Sequence, residues 1–285
     1  MINFTMAAQI LDEAHEAGFG GVPSSGIFIM RGQSLDISSF QISISDEGEV
    51  SATSPTLSTS THMAPYWLEA AISHAREVHR LEKSTNEAFR NDDADAKATC
   101  LNAELIASMQ AMACAAFAID ALHSALLKVQ PTPPATKEAW RKNGTKRSRQ
   151  IFETLRRIFK LGPKTSLTIQ TFLDQLTAAR DMAVHPPSRS RPAEKHARLP
   201  VGVDPAFNMF RARNAIVCVG LAVNLIDEIS KAQTAKNTKV AERMAALHEL
   251  VLPLQKRWRR TLAGKSFIEL QRQTALAQQD AGLRQ

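Results

Sequence analysis

From Pro65 onward, apolar side chains recur every three to four residues, the period of a helix that buries one face. The pattern predicts helices over about 65–90, 95–130, the run "RQIFETLRRIFKLGP" (149–163), 166–185, 205–232 and 236–262. "NDDADA" supplies a turn and an N-cap before the long second helix, which closes at "QPTPP". In that helix Leu101, Leu105, Met109, Met112, Phe117, Ile119 and Leu122 wrap most of the circumference, so it is expected at the centre of a bundle. Ile151, Leu155, Ile158 and Phe159 form the inner stripe of the next helix, and Gly162-Pro163 is expected to end it. Ser166 is then a natural N-cap, with Leu167, Phe172, Leu173 and Leu176 as the apolar side. Residues 187–204 read as a polar loop. Val240, Met244, Leu247, Val251, Leu254 and Trp258 mark a packing or dimerisation helix interrupted by Pro253.

The first 62 residues differ. Residues 1–20 suggest a short helix ending at "GFGG". Phe40, Ile42 and Ile44 then alternate with serine, the period of a strand. Residues 51–61 hold eight Ser or Thr in eleven positions, which fits an exposed linker or an edge strand. The expected fold is therefore mainly α, a four-helix bundle with additional helices and a small N-terminal β-containing region. The expected divisions are 1–62, a helical bundle at 63–232 with its core over 95–232, and a basic helix and tail at 233–285.

Composition narrows the class. With 285 residues and 44% hydrophobic content, the chain is large enough to bury a core. The apolar run "AIVCVGLAVNLI" falls short of the roughly 20 residues that span a bilayer, so no membrane association is expected. The N-terminus carries acidic residues where a secretory signal has basic ones. Cys100, Cys114 and Cys218 sit in apolar helical contexts without metal spacing, which suggests reduced thiols in a cytoplasmic protein. No metal site or cofactor is expected: His74 and His79 lie five apart, and the glycine-rich "GFGGVPSSG" lacks the Lys-Ser/Thr of a phosphate loop.

The candidate chemistry lies in "TFLDQLTAARDMAVHPP", where a helix ends with Arg180, Asp181 and His185 before two prolines. Residues five apart on a helix are separated by about 140°, so Arg180 and His185 do not share a face. Pro186 disfavours helical geometry at His185 and frees its ring from the helical track. Arginine binds phosphate oxygens, and histidine moves protons near neutral pH. Spacing alone decides little. Arg-x4-His occurs three times (180/185, 191/196 and 243/248), where chance gives roughly 0.6. Only the first match follows an apolar helix and precedes a proline. Paired with a carboxylate such as Asp174 or Asp181, Arg180 would be an ordinary helix-end cation, and His185 would cap the C-terminal dipole.

"RDMAVHP", together with the order of helices around it, resembles the HEPN superfamily. The order runs from the Ala-rich "MACAAFAIDALHSALL" through the Trp-containing basic connection "EAWRKNGTKRSRQ" and "IFETLRRIFKLG" to the motif helix and a closing apolar helix. The likeness covers about residues 95–232. It implies a HEPN-like bundle and metal-independent endoribonuclease activity from a homodimer, in a toxin–antitoxin or phage-defence setting. Arg180 would bind and polarise the phosphate, His185 would transfer protons, and Asp181 would support them. The resemblance is equally compatible with a catalytically inactive HEPN-like interaction or nucleic-acid-binding module. With either version the resemblance implies a protein antitoxin or regulatory partner.

Charge points the same way. The chain carries a net +7, and residues 137–160 alone hold nine Lys or Arg against Glu138 and Glu153. Arg141, Lys142, Lys146, Arg147, Arg149, Arg156 and Arg157 are thus the candidate RNA-binding residues, with Trp140 beside them. "QKRWRR" (255–260) is a second basic cluster, expected as a solvated helix end with Trp258 docked on a neighbour. His15, His62 and His123 are expected to be structural.

Overall fold

The computed structural model describes residues 32–38, 42–46, 48, 50–52, 56–91, 93–185, 191–196, 199–231 and 237–282. The expected helix over 1–20 and Phe40 lie outside these residues. The chain divides into two compact units, 1–61 and 62–285.

In the first unit, β1 (Gln33–Ser38) pairs antiparallel with β4 (Thr56–Thr61), and β2 (Ile42–Ile44) with β3 (Val50–Ala52). Both ladders keep one register, from Gln33 opposite Thr61 to Ile44 opposite Val50. Gly48 turns the chain at φ 82°, a conformation that only glycine adopts freely. Of the Ser/Thr-rich run, residues 51–52 and 56–61 are thus strand.

The second unit is mainly α. Its elements are α1 (Met63–Ala88), α2 (Ala94–Val129), α3 (Pro134–Lys142), α4 (Arg147–Phe159), α5 (Pro163–Val184), the two-residue strands β5 (Glu194–Lys195) and β6 (Gly202–Val203), α6 (Pro205–Met209), α7 (Ala212–Lys231), α8 (Thr238–Arg260) and α9 (Leu262–Gly282). α2 is central: it packs on α1, α4, α5 and α7. Its small buried residues Ala107, Ala111, Ala115 and Ala118 let neighbours approach closely, and Met112, Ile119, Leu122 and Leu126 fill the core. Among the described helices it is the one long and apolar enough, by length and composition, to cross a membrane. Asp93 caps it, accepting from the Ala96 N–H at 3.0 Å, as "NDDADA" suggested.

Two buried polar contacts pin the helices around α2. Glu104 accepts the N–H of Ala212 at 2.9 Å, so a carboxylate meets the positive end of α7. His123 Nε2 meets Thr154 Oγ1 of α4 at 3.2 Å. On the far side of α7, the buried Asp227 accepts from Lys231 and Gln255, tying α8 to it. Trp258 is buried, with its ring centroid 6.3 Å from that of Phe267. Gly220 lets α9 seat, because a Cβ there would lie 2.5 Å from the Phe267 ring.

Several boundaries differ from expectation. α4 ends at Lys160, which takes a left-handed conformation (φ 48°), and Gly162-Pro163 opens α5 instead of closing α4. Proline suits a first helical position, where its missing N–H is not needed. Ser166 therefore lies inside the first turn of α5, and Gly162 is the cap. Leu167 is exposed, while Phe172, Leu173, Leu176 and Ala179 are buried. Counting 100° per residue puts Leu167 opposite Leu176. The basic connection contains the helix α3, started by Pro134. The expected 205–232 helix is two, α6 and α7. Pro253 is exposed and α8 runs through it. The expected tail holds α9.

Candidate functional site

α5 ends as its sequence requires. Val184 is its last helical residue, and His185 turns away at φ −126°, ψ 77°, its N–H still bonded to the Asp181 carbonyl at 2.7 Å. The His185 ring is exposed, and among the described residues no side-chain hydrogen bond or ion pair reaches it. Val184 is 54% exposed. Pro186 lies outside the described residues.

Arg180 is held differently. Its Nε and Nη2 donate to Asp181 Oδ1 at 3.0 and 2.7 Å, and its Nη1 donates to Asp120 Oδ2 at 2.8 Å. Asp120 Oδ1 in turn accepts from Arg147 Nε at 2.8 Å. One carboxylate of α2 therefore bridges the first turn of α4 and the last turns of α5. Of the pairings expected for Arg180, Asp181 is present, while Asp120 stands where Asp174 was considered. Burial opposes the charge of Arg180, but the bonds to Asp181 and Asp120 outweigh it and raise its pKa above the ordinary arginine value. Two guanidinium N–H groups of Arg180 are left over from these three bonds. The four side chains Arg147, Asp120, Arg180 and Asp181 sum to zero formal charge.

Asp120 was not singled out from the sequence. Its signal is a lone carboxylate in the apolar run "ACAAFAIDALH" of the central helix, where an unpaired charge would be costly. His123, one turn on, is 1% exposed. Burial and then the charge of Arg147 push its pKa from 6.5 to about 4, against a smaller opposite pull from Asp120.

The basic residues fall into distinct settings. Arg141 pairs with Glu138 at 2.7 Å on the exposed surface of α3. Arg149 pairs with Glu153 at 2.9 Å, donates to Gln170 at 2.9 Å, and lies 5.3 Å from the Phe152 ring centroid. Lys142, Lys146 and Arg156 are exposed. Trp140 Nε1 donates to Glu153 Oε2 at 2.7 Å, which fixes the indole between α3 and α4.

Two cavities flank that indole. One, of about 520 Å³, is lined by Thr136, Glu153, Arg156, Arg157, Lys160 and Leu161 with Trp140. Arg157 Nε and Nη2 are buried and, among the described residues, have no hydrogen-bond partner. The other, of about 610 Å³, lies against His123, Thr132, Lys137, Arg147 and Gln150, again with Trp140 as a wall.

The remaining Arg-x4-His matches are structural. His196 is buried, with Nδ1 accepting from the Leu199 N–H at 3.1 Å. His248 Nδ1 meets Ser230 Oγ at 3.1 Å inside the α7–α8 interface. Burial raises the Cys218 pKa to about 12 and also raises that of Cys114, which disfavours their thiolates. Among the described residues no three His, Cys, Asp or Glu side chains converge as a metal-ligand group. Compared with family models, curated proteins and solved structures, the chain gives no match.

Proposed function

We propose that the helical unit is a HEPN-like endoribonuclease that cleaves RNA without a metal. The observation that carries this reading is the exposed His185 ring at the unwound end of the helix that fixes Arg180. The two free N–H groups of Arg180 suit the non-bridging oxygens of a phosphodiester. As the 2′-hydroxyl attacks, charge grows on those oxygens, and a guanidinium already anchored by two carboxylates meets it without reorganising. His185 exchanges protons with the attacking or leaving oxygen. The basic face of α3 and α4 draws the polyanion in. A homodimer would bring a second Arg180–His185 pair to the same phosphate, one histidine acting as base and the other as acid.

A specific observation favours a second reading, a non-cleaving RNA-binding or interaction module. Asp120 and Asp181 neutralise Arg180, as they would in a structural network. Digestion of several RNAs in EDTA separates the two. Wild type is expected to cleave, and Arg180→Ala and His185→Ala to lose activity at least a hundredfold. His185→Ala should leave the unfolding midpoint unchanged, because the ring is exposed. Cleavage that persists in both folded variants removes these residues from the mechanism. RNA binding by wild type without cleavage selects the module.

A further inference from the structure

The 610 Å³ cavity beneath the α3–α4 turn holds features the cleavage site does not use. It has the size of a small-ligand site. The chain folds back over it, with the Thr145 N–H on the Trp140 carbonyl at 2.9 Å and Gly144 at φ 57°. Gln150 is held in its lining by a bond from Nε2 to the Thr145 carbonyl at 2.8 Å. Its lining also contains two buried side chains with unused polar atoms. Thr132 is 3% exposed and His123 1%, and among the described residues neither Thr132 Oγ1 nor His123 Nδ1 has a hydrogen-bond partner. A buried polar atom without a partner costs about 1–3 kcal/mol, so such atoms call for an occupant that satisfies them.

From these observations we propose that the cavity is a nucleobase pocket, taking the base next to the phosphate engaged by Arg180. This rests on the RNA-cleaving reading above and names its specificity site. Trp140, fixed by its bond to Glu153, is the aromatic wall on which a base stacks. Thr132 Oγ1 and His123 Nδ1 are covered from solvent, so they meet the polar edge of the base once the Thr132 side chain rotates toward it. The ring of His123 is neutral at ordinary pH, since burial and Arg147 hold its pKa at about 4. It therefore recognises a base edge by a hydrogen bond rather than a phosphate by charge. Lys137, Arg141 and Arg147 lie around the same cavity, where cations suit the flanking phosphates. Arg147 also ties the pocket to the cleavage site, because Asp120 binds it through one oxygen and Arg180 through the other.

The test is the affinity of the full chain, carrying His185→Ala to prevent cleavage, for hexaribonucleotides of A, C, G or U. An abasic strand of equal length is the reference. At least one base should bind tenfold or more tightly than the abasic strand. Thr132→Val should reduce that preference at least threefold while leaving the unfolding midpoint unchanged or higher, since its hydroxyl has no partner to lose. Trp140→Leu should reduce it tenfold. Equal affinity for all strands, abasic included, overturns the pocket, as does unchanged discrimination in folded Thr132→Val and Trp140→Leu. Cleavage is scored separately on the wild-type background. Base preference that needs Thr132 in a protein that never cleaves sinks the nuclease reading and keeps the pocket. Cleavage that needs Arg180 and His185 but ignores Thr132 does the reverse.

Discussion

Asp120→Asn tests whether the bridge across α2, α4 and α5 holds the helical unit together. The carboxylate accepts two charge-assisted bonds of 2.8 Å, from Arg147 and Arg180. Bonds to charged groups contribute about 1.5–3 kcal/mol each when desolvated, and exposed ion pairs about 0–1 kcal/mol. The side chains here are 23% exposed for Asp120, 21% for Arg180 and 36% for Arg147, between those limits. Asparagine keeps one acceptor oxygen but leaves Arg180 with the Asp181 carboxylate and takes the Asp120 carboxylate from Arg147, changing the local charge from zero to +1. The expected loss is about 2 kcal/mol. Urea unfolding followed at 222 nm reads it, because helix lies only in the second unit among the described residues. A cycle with Arg180→Gln should give a coupling of about 1 kcal/mol. A loss under about 0.5 kcal/mol with no coupling would show the pair to be screened like any surface pair, and would refute the claim that Asp120 positions Arg180.

Acid should weaken the fold through His123. Its pKa is about 4 in the folded chain against 6.5 when free, so the unfolded chain takes up the proton first as pH falls. Stability is lost between pH 6.5 and 4, by up to about 3 kcal/mol from this residue. His62, held at about 4 by burial and then Arg243, adds in the same direction. The urea midpoint of His123→Gln should fall less steeply over that range than that of wild type, and parallel curves would exclude the effect. Gly220→Ala should cost about 1–3 kcal/mol, because its Cβ would meet the Phe267 ring at 2.5 Å. Phe267→Leu in the same chain should recover part of that loss in thermal unfolding, and no recovery would mean that the clash lies elsewhere.

Periodicity made the long amphipathic elements legible. α4 buries the whole stripe its sequence announces and α8 all of its own but the half-buried Leu254, because a 3.6-residue period is a local property; in α2 Met112, Ile119 and Leu122 are buried while Leu101, Leu105, Met109 and Phe117 are half-buried. What stayed hidden depends on partners distant in sequence or on weak local signals. Asp120 and Arg180 are sixty residues apart, and nothing near either names the other. α3 is nine residues and mostly polar, so no apolar stripe marks it. Gly162-Pro163 fits both the end of one helix and the start of the next. The left-handed Lys160 decided between them, and no glycine marks that position. At the candidate site the backbone break at His185 was readable from Pro186, while the anchoring of Arg180 and the pocket beside it were not.

α4 also fixes a length. Arg147 stands at its first residue and Arg157 near its last, ten residues on, which is about 15 Å along the axis. Stacked nucleotides advance about 3.4 Å each, so a strand laid along α4 crosses about four of them between the two cations. On the RNA-binding reading proposed above, the helix would be a gauge. An oligonucleotide shorter than about four residues would reach one end of it, and a longer one would be measured from the Arg157 end to the end where Arg147 and Arg180 share Asp120.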